Sequence, residues 1–158
     1  VMYPNFLPSL LLATLAGLLI WAAVTDLRAR IISNRLNAAI ALLAPVYWWS
    51  MGLSHWPDMA LQLGLCVAVF AVFATLFAMG AMGGGDVKML AAIALWLPAG
   101  ALMSLLVLMA LFGGVITIIT VVHHRTTRRI GAVEVPYGVA ISLAGLWVIG
   151  EPYFNAFT

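Results

Sequence analysis

The sequence predicts an all-α integral membrane protein, a compact bundle of six transmembrane helices with both termini outside. Three observations predict it. Hydrophobic residues make up 65% of the 158 residues, whereas a soluble domain carries about 45–50%. Charged residues make up 8%, against about 25% in an ordinary domain, too few to cover a water-facing surface. Mean hydropathy is +1.14, and the few charges fall between apolar runs long enough to be spans.

Residues 6–25 form the first run, with no charged side chain. Its length suits a span, which needs roughly 17–25 apolar residues. No basic stretch precedes it and no small-residue cleavage motif follows it, so it reads as a helix entering from outside and not as a signal peptide. Residues 36–51 form a second run, interrupted by Pro45, and 52–58 read as a short turn. Residues 59–79 are the third and cleanest span. A break over 80–85 contains four glycines. Residues 87–97 are apolar but number only eleven, which reaches roughly 16 Å as a helix. Residues 101–122 are a full span, 123–134 the longest polar segment and 135–150 a final short run.

Charge placement decides whether 87–97 counts as a span. With six spans and the N-terminus outside, the inner segments 26–35, 80–88 and 123–135 hold Arg28, Arg30, Arg35, Lys88, Arg125, Arg128 and Arg129, all seven basic residues of the chain. The outer segments hold Asp58 and Glu151. Short loops beside membrane helices show this inward bias of Lys and Arg, and five spans would break it. No internal repeat or long linker divides the chain, so residues 1–158 are expected to form a single transmembrane domain.

Small residues let membrane helices approach closely, and Ala13/Gly17, Gly64/Ala68 and Ala110/Gly114 are candidate contact pairs. Trp48, Trp49 and Trp56 flank the outer turn, where interface anchors belong. The single cysteine, Cys66, cannot form an internal disulfide. The net charge of +2 rests on a handful of arginines and does not point to a nucleic-acid partner. Arg28, Arg30 and Arg35 read as anchors against anionic membrane lipid.

The candidate chemistry lies with Asp26 and Asp86. Asp26 ends the first span, and Asp86 follows Gly83-Gly84-Gly85 and opens the fourth. The topology puts both at one depth near the inner face. An acid at an apolar boundary is costly and hints at function, although either could simply cap a helix. Two carboxyls sharing one proton supply a base and an acid together. The ionised member can deprotonate a water attacking an amide carbonyl, and the protonated member can steady the oxyanion and protonate the leaving nitrogen. This chemistry calls for no metal and no cofactor. Glycine carries no Cβ, so the 83–85 turn lets another backbone approach Asp86 closely. His123 and His124 are adjacent on a helix, so they do not face one another as a ligand pair.

The sequence resembles the type IV prepilin peptidases, membrane aspartyl proteases of the GxGD type. Asp26-Leu-Arg-Ala-Arg-Ile-Ile-Ser-Asn34 is similar to that family's Asp, basic residue and Ile-Pro-Asn stretch. Gly83-Gly-Gly-Asp86-Val-Lys88 matches GxGDxK. Val135-Pro-Tyr-Gly138-Val-Ala-Ile141 is similar to a Pro-x-Gly-Pro run at the last helix. The resemblance implies that Asp26 and Asp86 are the catalytic pair. It implies removal of a basic leader from prepilins or pseudopilins, substrates with an apolar helix, at the cytoplasmic face of the inner membrane.

Ser33 and Val139 stand where that family usually has proline. The larger members' cysteine-bearing cytoplasmic region has no counterpart here, so the expectation is a minimal, peptidase-only form of the tight-adherence (Flp-type) or archaeal kind. Around the pair, Gly83 and Gly85 would shape the loop. Lys88 would touch substrate, bias the dyad or anchor to lipid. Asn34 would cap the second helix, Pro136 would start the last one, and Gly138 would allow close packing beneath the dyad. The competing expectations are a small ion- or proton-coupled transporter subunit and a non-enzymatic assembly subunit.

Overall fold

The computed structural model describes residues 6–126 and 135–155. Within them the chain forms six α-helices: α1 Phe6–Ala29, α2 Asn34–Ser50, α3 Ala60–Ala78, α4 Gly84–Ala94, α5 Ala99–Thr126 and α6 Tyr137–Asn155. Arg128, Arg129 and Glu134 lie outside the described residues, as do both chain ends, so the inner basic cluster is seen only through Arg125. Among the described residues, three helical stretches are long and apolar enough to cross a membrane: Phe6–Ala29, His55–Ala78 and Ala99–Thr126.

Each boundary has a local cause. The turn expected over 52–58 is shorter than read, because a helical turn, His55–Met59, runs straight into α3. Asp58 accepts the Ser54 N–H at 3.1 Å and the Ser54 hydroxyl at 2.8 Å, which steadies its start. α2 and α3 both close with paired bonds around a left-handed glycine, Gly52 (φ 69°) and Gly80 (φ 72°). Gly80 N–H reaches Phe77 O and Ala81 N–H reaches Leu76 O, each at 2.9 Å, a six-residue closure that needs positive φ. α1 also ends on a left-handed residue, but without a glycine and with a single bond: Arg30 sits at φ 54° and its N–H reaches Asp26 O at 3.0 Å. A side chain in that region costs about 1–2 kcal/mol.

The bundle is built around α4. Val87 and residues 89–97 are buried, while Lys88 is exposed. A helix that is apolar on every side belongs at the centre. α4 packs on α2, α3 and α6, while α6 also packs on α1 and α5. At the end away from Asp86, Trp48 Nε1–H donates to Leu95 O at 2.6 Å and Trp96 Nε1–H donates to Ile40 O at 2.9 Å. These crossed bonds tie α2 to the C-terminus of α4. Trp48 is therefore a core residue, 5% exposed, and not the interface anchor the sequence suggested; Trp49 and Trp56 are 75% and 81% exposed. A buried indole needs a partner for its N–H, and α4's free carbonyls supply one.

The expected small-residue pairs are not the contact points. Gly17, Gly64 and Gly114 have open space where a Cβ would stand. The close approaches occur one residue away or on another helix. Gly113 lies against the Tyr137 ring, and a Cβ at Gly145 would come within 2.9 Å of Leu19 Cδ1. Spacing alone does not say which side of a helix meets its neighbour.

Candidate active site

Asp26 lies in the last turn of α1 and is 6% exposed. The sequence has Asp26 ending the first span, and the helix runs three residues further, through Ala29. Its Oδ2 accepts the backbone N–H of Val139 at 3.1 Å, and the Gly138 N–H is a second donor. Both amides belong to the first turn of α6, where N–H groups have no partner inside the helix. Asp26 thus caps a helix 113 residues away, where a carboxylate also meets the positive end of the helix dipole. Pro136 comes immediately before α6 and brings no N–H needing a partner. Gly138 is required for space: a Cβ there would stand 2.9 Å from Asp26 Oδ2 and 2.5 Å from Ile32 Cδ1. The second proline of the resembled motif would remove the Val139 donor, so valine here gives Asp26 a bond that proline could not.

Asp86 is the third residue of α4, whose N-cap is Gly83. Its carboxyl reaches back to the Gly83 N–H, the local half of a capping box. The glycines shape this turn, but around the protein's own groups. A Cβ at Gly83 would stand 2.8 Å from Asp86 Oδ2, and one at Gly85 would stand 3.2 Å from both Ile32 Cβ and Ile32 O. Gly84 faces the Phe77 ring, 3.2 Å from its position for a Cβ.

Asp26 and Asp86 line one open cavity of about 520 Å³, together with Arg30, residues 80–83, Val135 and Tyr137. Asp86 precedes the buried run of α4 and lies outside the three long spans. Burial, and then the neighbouring negative charge of Asp26, push its carboxyl up to about 7, against a smaller opposing effect of the Gly83 N–H. Like charges that sense one another in this way cannot both ionise easily. Such a pair can hold one proton at neutral pH, which a water-activating base and its partner acid require.

The remaining expected residues fall elsewhere. Asn34 does not cap α2. Ser33 does, at φ −70° and ψ 146°, its hydroxyl accepting the Leu36 N–H at 3.2 Å. That φ is the value proline would impose, so serine keeps the backbone shape and adds a cap. Asn34, freed from that task, accepts from Lys88 Nζ at 2.9 Å. Lys88 does not line the cavity and joins α2 to α4 on the other side of the turn.

Ile32, Asn37 and Arg30 were missed as neighbours of the site. Ile32 touches the positions of both Gly85 and Gly138, and so wedges between the starts of α4 and α6. Asn37 Nδ2–H donates to Gly85 O at 3.0 Å. An asparagine within the otherwise apolar 36–51 run, three residues after Asn34, was the available signal for this contact.

The sequence matches the type IV leader peptidase family over residues 13–118, about two thirds of the chain. The matched stretch contains both acids and the glycine turn, and stops before Pro136 and Gly138. No curated protein and no solved structure matches. The chain belongs to the type IV leader peptidase family and is an aspartic-type endopeptidase of prepilin leaders.

Proposed function

We propose that Asp26 and Asp86 are the two catalytic carboxyls of this peptidase. The observation that carries the assignment is their shared cavity, in which the charge of one raises the proton affinity of the other. Asp86 holds the proton at and below neutrality, and Asp26 acts as the base. Asp26 takes a proton from water as the water oxygen bonds to the scissile carbonyl carbon. Asp86 donates to the developing oxyanion. Once the carbon–nitrogen bond breaks, the proton held by Asp26 passes to the leaving amine, and Asp86 recovers its own as the carbonyl re-forms.

The finer setting follows from the basic residues of the sequence. Six crossings, with residues 1–158 as one domain and both ends outside, put the dyad at the cytoplasmic face of the inner membrane. The substrate is a prepilin or Flp-type pilin precursor whose apolar helix lies along the bundle while its basic leader stays in the cytoplasm. Arg30 beside the dyad offers that leader no attraction, so anionic lipid holds it; nucleic acid has no part. A transporter reading gains nothing from two acids at one end of the bundle, since coupling sites lie near the midplane.

The test is incubation of purified protein with a prepilin-like substrate in detergent, followed by mass measurement of the products. One new amino terminus at the leader boundary is expected from wild type and from Asp58→Asn, and none from Asp26→Asn. Cleavage by Asp26→Asn at the wild-type rate would remove Asp26 from the mechanism.

A further inference from the structure

Asn37 is 5% exposed, in a helix whose neighbours are apolar. Its Nδ2–H donates to Gly85 O, 48 residues away, at 3.0 Å. Its Oδ1 is buried with no hydrogen-bond partner among the described residues. Gly85 belongs to the first turn of α4, so its carbonyl already has the i+4 amide of that helix as a partner. Gly85 does not need Asn37 for satisfaction, and Asn37 leaves its own oxygen unsatisfied in making the bond. An apolar residue of the same shape would avoid that cost. Stability is therefore a poor reason for an asparagine here.

Position supplies a better reason. Asn34 and Asn37 are three residues apart on α2, and Gly85 and Lys88 are three residues apart on α4. Residues so spaced share a helix face, so the bonds Asn37–Gly85 and Asn34–Lys88 form two rungs between the first turns of the two helices. The inner rung grips the residue next to Asp86. Ile32 blocks the same glycine from the other side, 3.2 Å from where its Cβ would stand.

We propose that Asn37 is a positioning residue for cleavage: its amide holds the Gly83–Asp86 turn in the register that presents the Asp86 carboxyl to Asp26. This inference rests on the dyad reading above. It differs from a structural role in one measurable respect. A residue kept for stability should lose activity and folding together when replaced. A residue kept for register should lose turnover while the protein stays as stable or becomes more so.

The experiment compares Asn37→Leu and Asn37→Asp with wild type in kcat, KM, pH profile and thermal melting, using a prepilin-like substrate in detergent. Asn37→Leu removes the donor and the orphaned oxygen together. Asn37→Asp keeps the shape and exchanges the amide donor for a carboxyl oxygen, which repels the Gly85 carbonyl when ionised. Gln62→Leu is the control, because Gln62 Oε1 is also buried without a partner among the described residues, at the end remote from the dyad.

The proposal expects kcat to fall roughly 10–100-fold in both Asn37 variants, the loss that a small misplacement of a catalytic group produces. It expects KM within about twofold, a displaced high-pH limb in the profile, and a melting temperature of Asn37→Leu at or above wild type; Gln62→Leu should keep its kcat. Should Asn37→Leu fail to fold, Asn37→Asp carries the test. Wild-type kcat in a folded Asn37 variant, or a loss matched by an equal loss of folded protein, overturns the proposal. Asp26→Asn and Asp86→Asn are assayed alongside. If they are inactive while the Asn37 variants are fully active, only the positioning role fails; if they are active, the dyad reading itself fails.

Discussion

Asp26 takes its bond from Val139, 113 residues along the chain, whereas Asp86 takes its bond from Gly83, three residues back. The first carboxyl closes the start of a different helix, so its place depends on how α1, α6 and Ile32 pack. The second closes the start of its own helix, so its direction is set within one turn, and α2 only steers that turn as a unit. A pair built this way has one member fixed by tertiary packing and one carried on a local device. It follows that the Asp26 side should be damaged by bulk, and the Asp86 side by changes that release or retune the turn.

The largest effect tests whether the two regions act as one unit. Asp26→Asn and Asp86→Asn should each lower kcat by at least about 10²–10⁴-fold, the usual worth of one positioned proton transfer. The double variant should be little worse than either single one, because groups acting together are not additive. Multiplying losses, measured as kcat on the same substrate, would mean two separate roles.

The next effect separates the regions. Gly138→Val forces carbon onto Asp26 and Ile32 and should lower kcat roughly 100-fold, as a displacement near 1 Å does. Gly84→Ala meets only the ring of Phe77, which is 55% exposed and can swing aside. It should stay within about threefold of wild type, a margin of well under 1 kcal/mol. Equal kinetic damage at the two positions would erase the distinction drawn here.

A smaller effect comes from pH. The Asp86 carboxyl is raised to about 7, so it holds its proton below that value and loses it as pH rises through it. If that proton is needed, kcat/KM should fall about tenfold per pH unit above neutrality. A flat profile from pH 6 to 9 in the purified enzyme would show that Asp86 is not the acid.

Ser33 gives the smallest effect. Ser33→Ala loses the cap of α2 and should cost about 0.5–2 kcal/mol of stability, read by thermal melting, with cleavage within about twofold. Ser33→Pro also loses the cap but restricts the unfolded chain at a φ that suits proline, so it should melt above Ser33→Ala.

Charge in an apolar chain made part of this site legible. Asp26 and Asp86 stood out because few side chains could be anything but lipid-facing or packed, and Gly83-Gly84-Gly85 marked a helix start because no span tolerates such a run. The six helices followed from run lengths, and their ends differ by a few residues at caps that only geometry reveals. Arg30 shows why: arginine gives no hint of positive φ, so a left-handed closure there is invisible until the fold is seen. Trp48 shows a second limit, since an indole at a span end serves equally as an interface anchor or as a buried donor. Gly138 was singled out for close packing, but the groups it makes room for, Asp26 and Ile32, come from more than 100 residues earlier. Asn34 and Ser33 exchanged roles because either residue can cap a helix.

Cleavage by Asp86→Asn, with Asp26 intact, tests the central claim most directly. This substitution keeps the shape of the side chain while removing its proton. Purified Asp86→Asn protein, shown by melting to be folded, is incubated with a prepilin-like substrate and the products are weighed. The dyad account predicts no detectable leader release over a time in which wild type finishes. Release at the wild-type site and near the wild-type rate would contradict it.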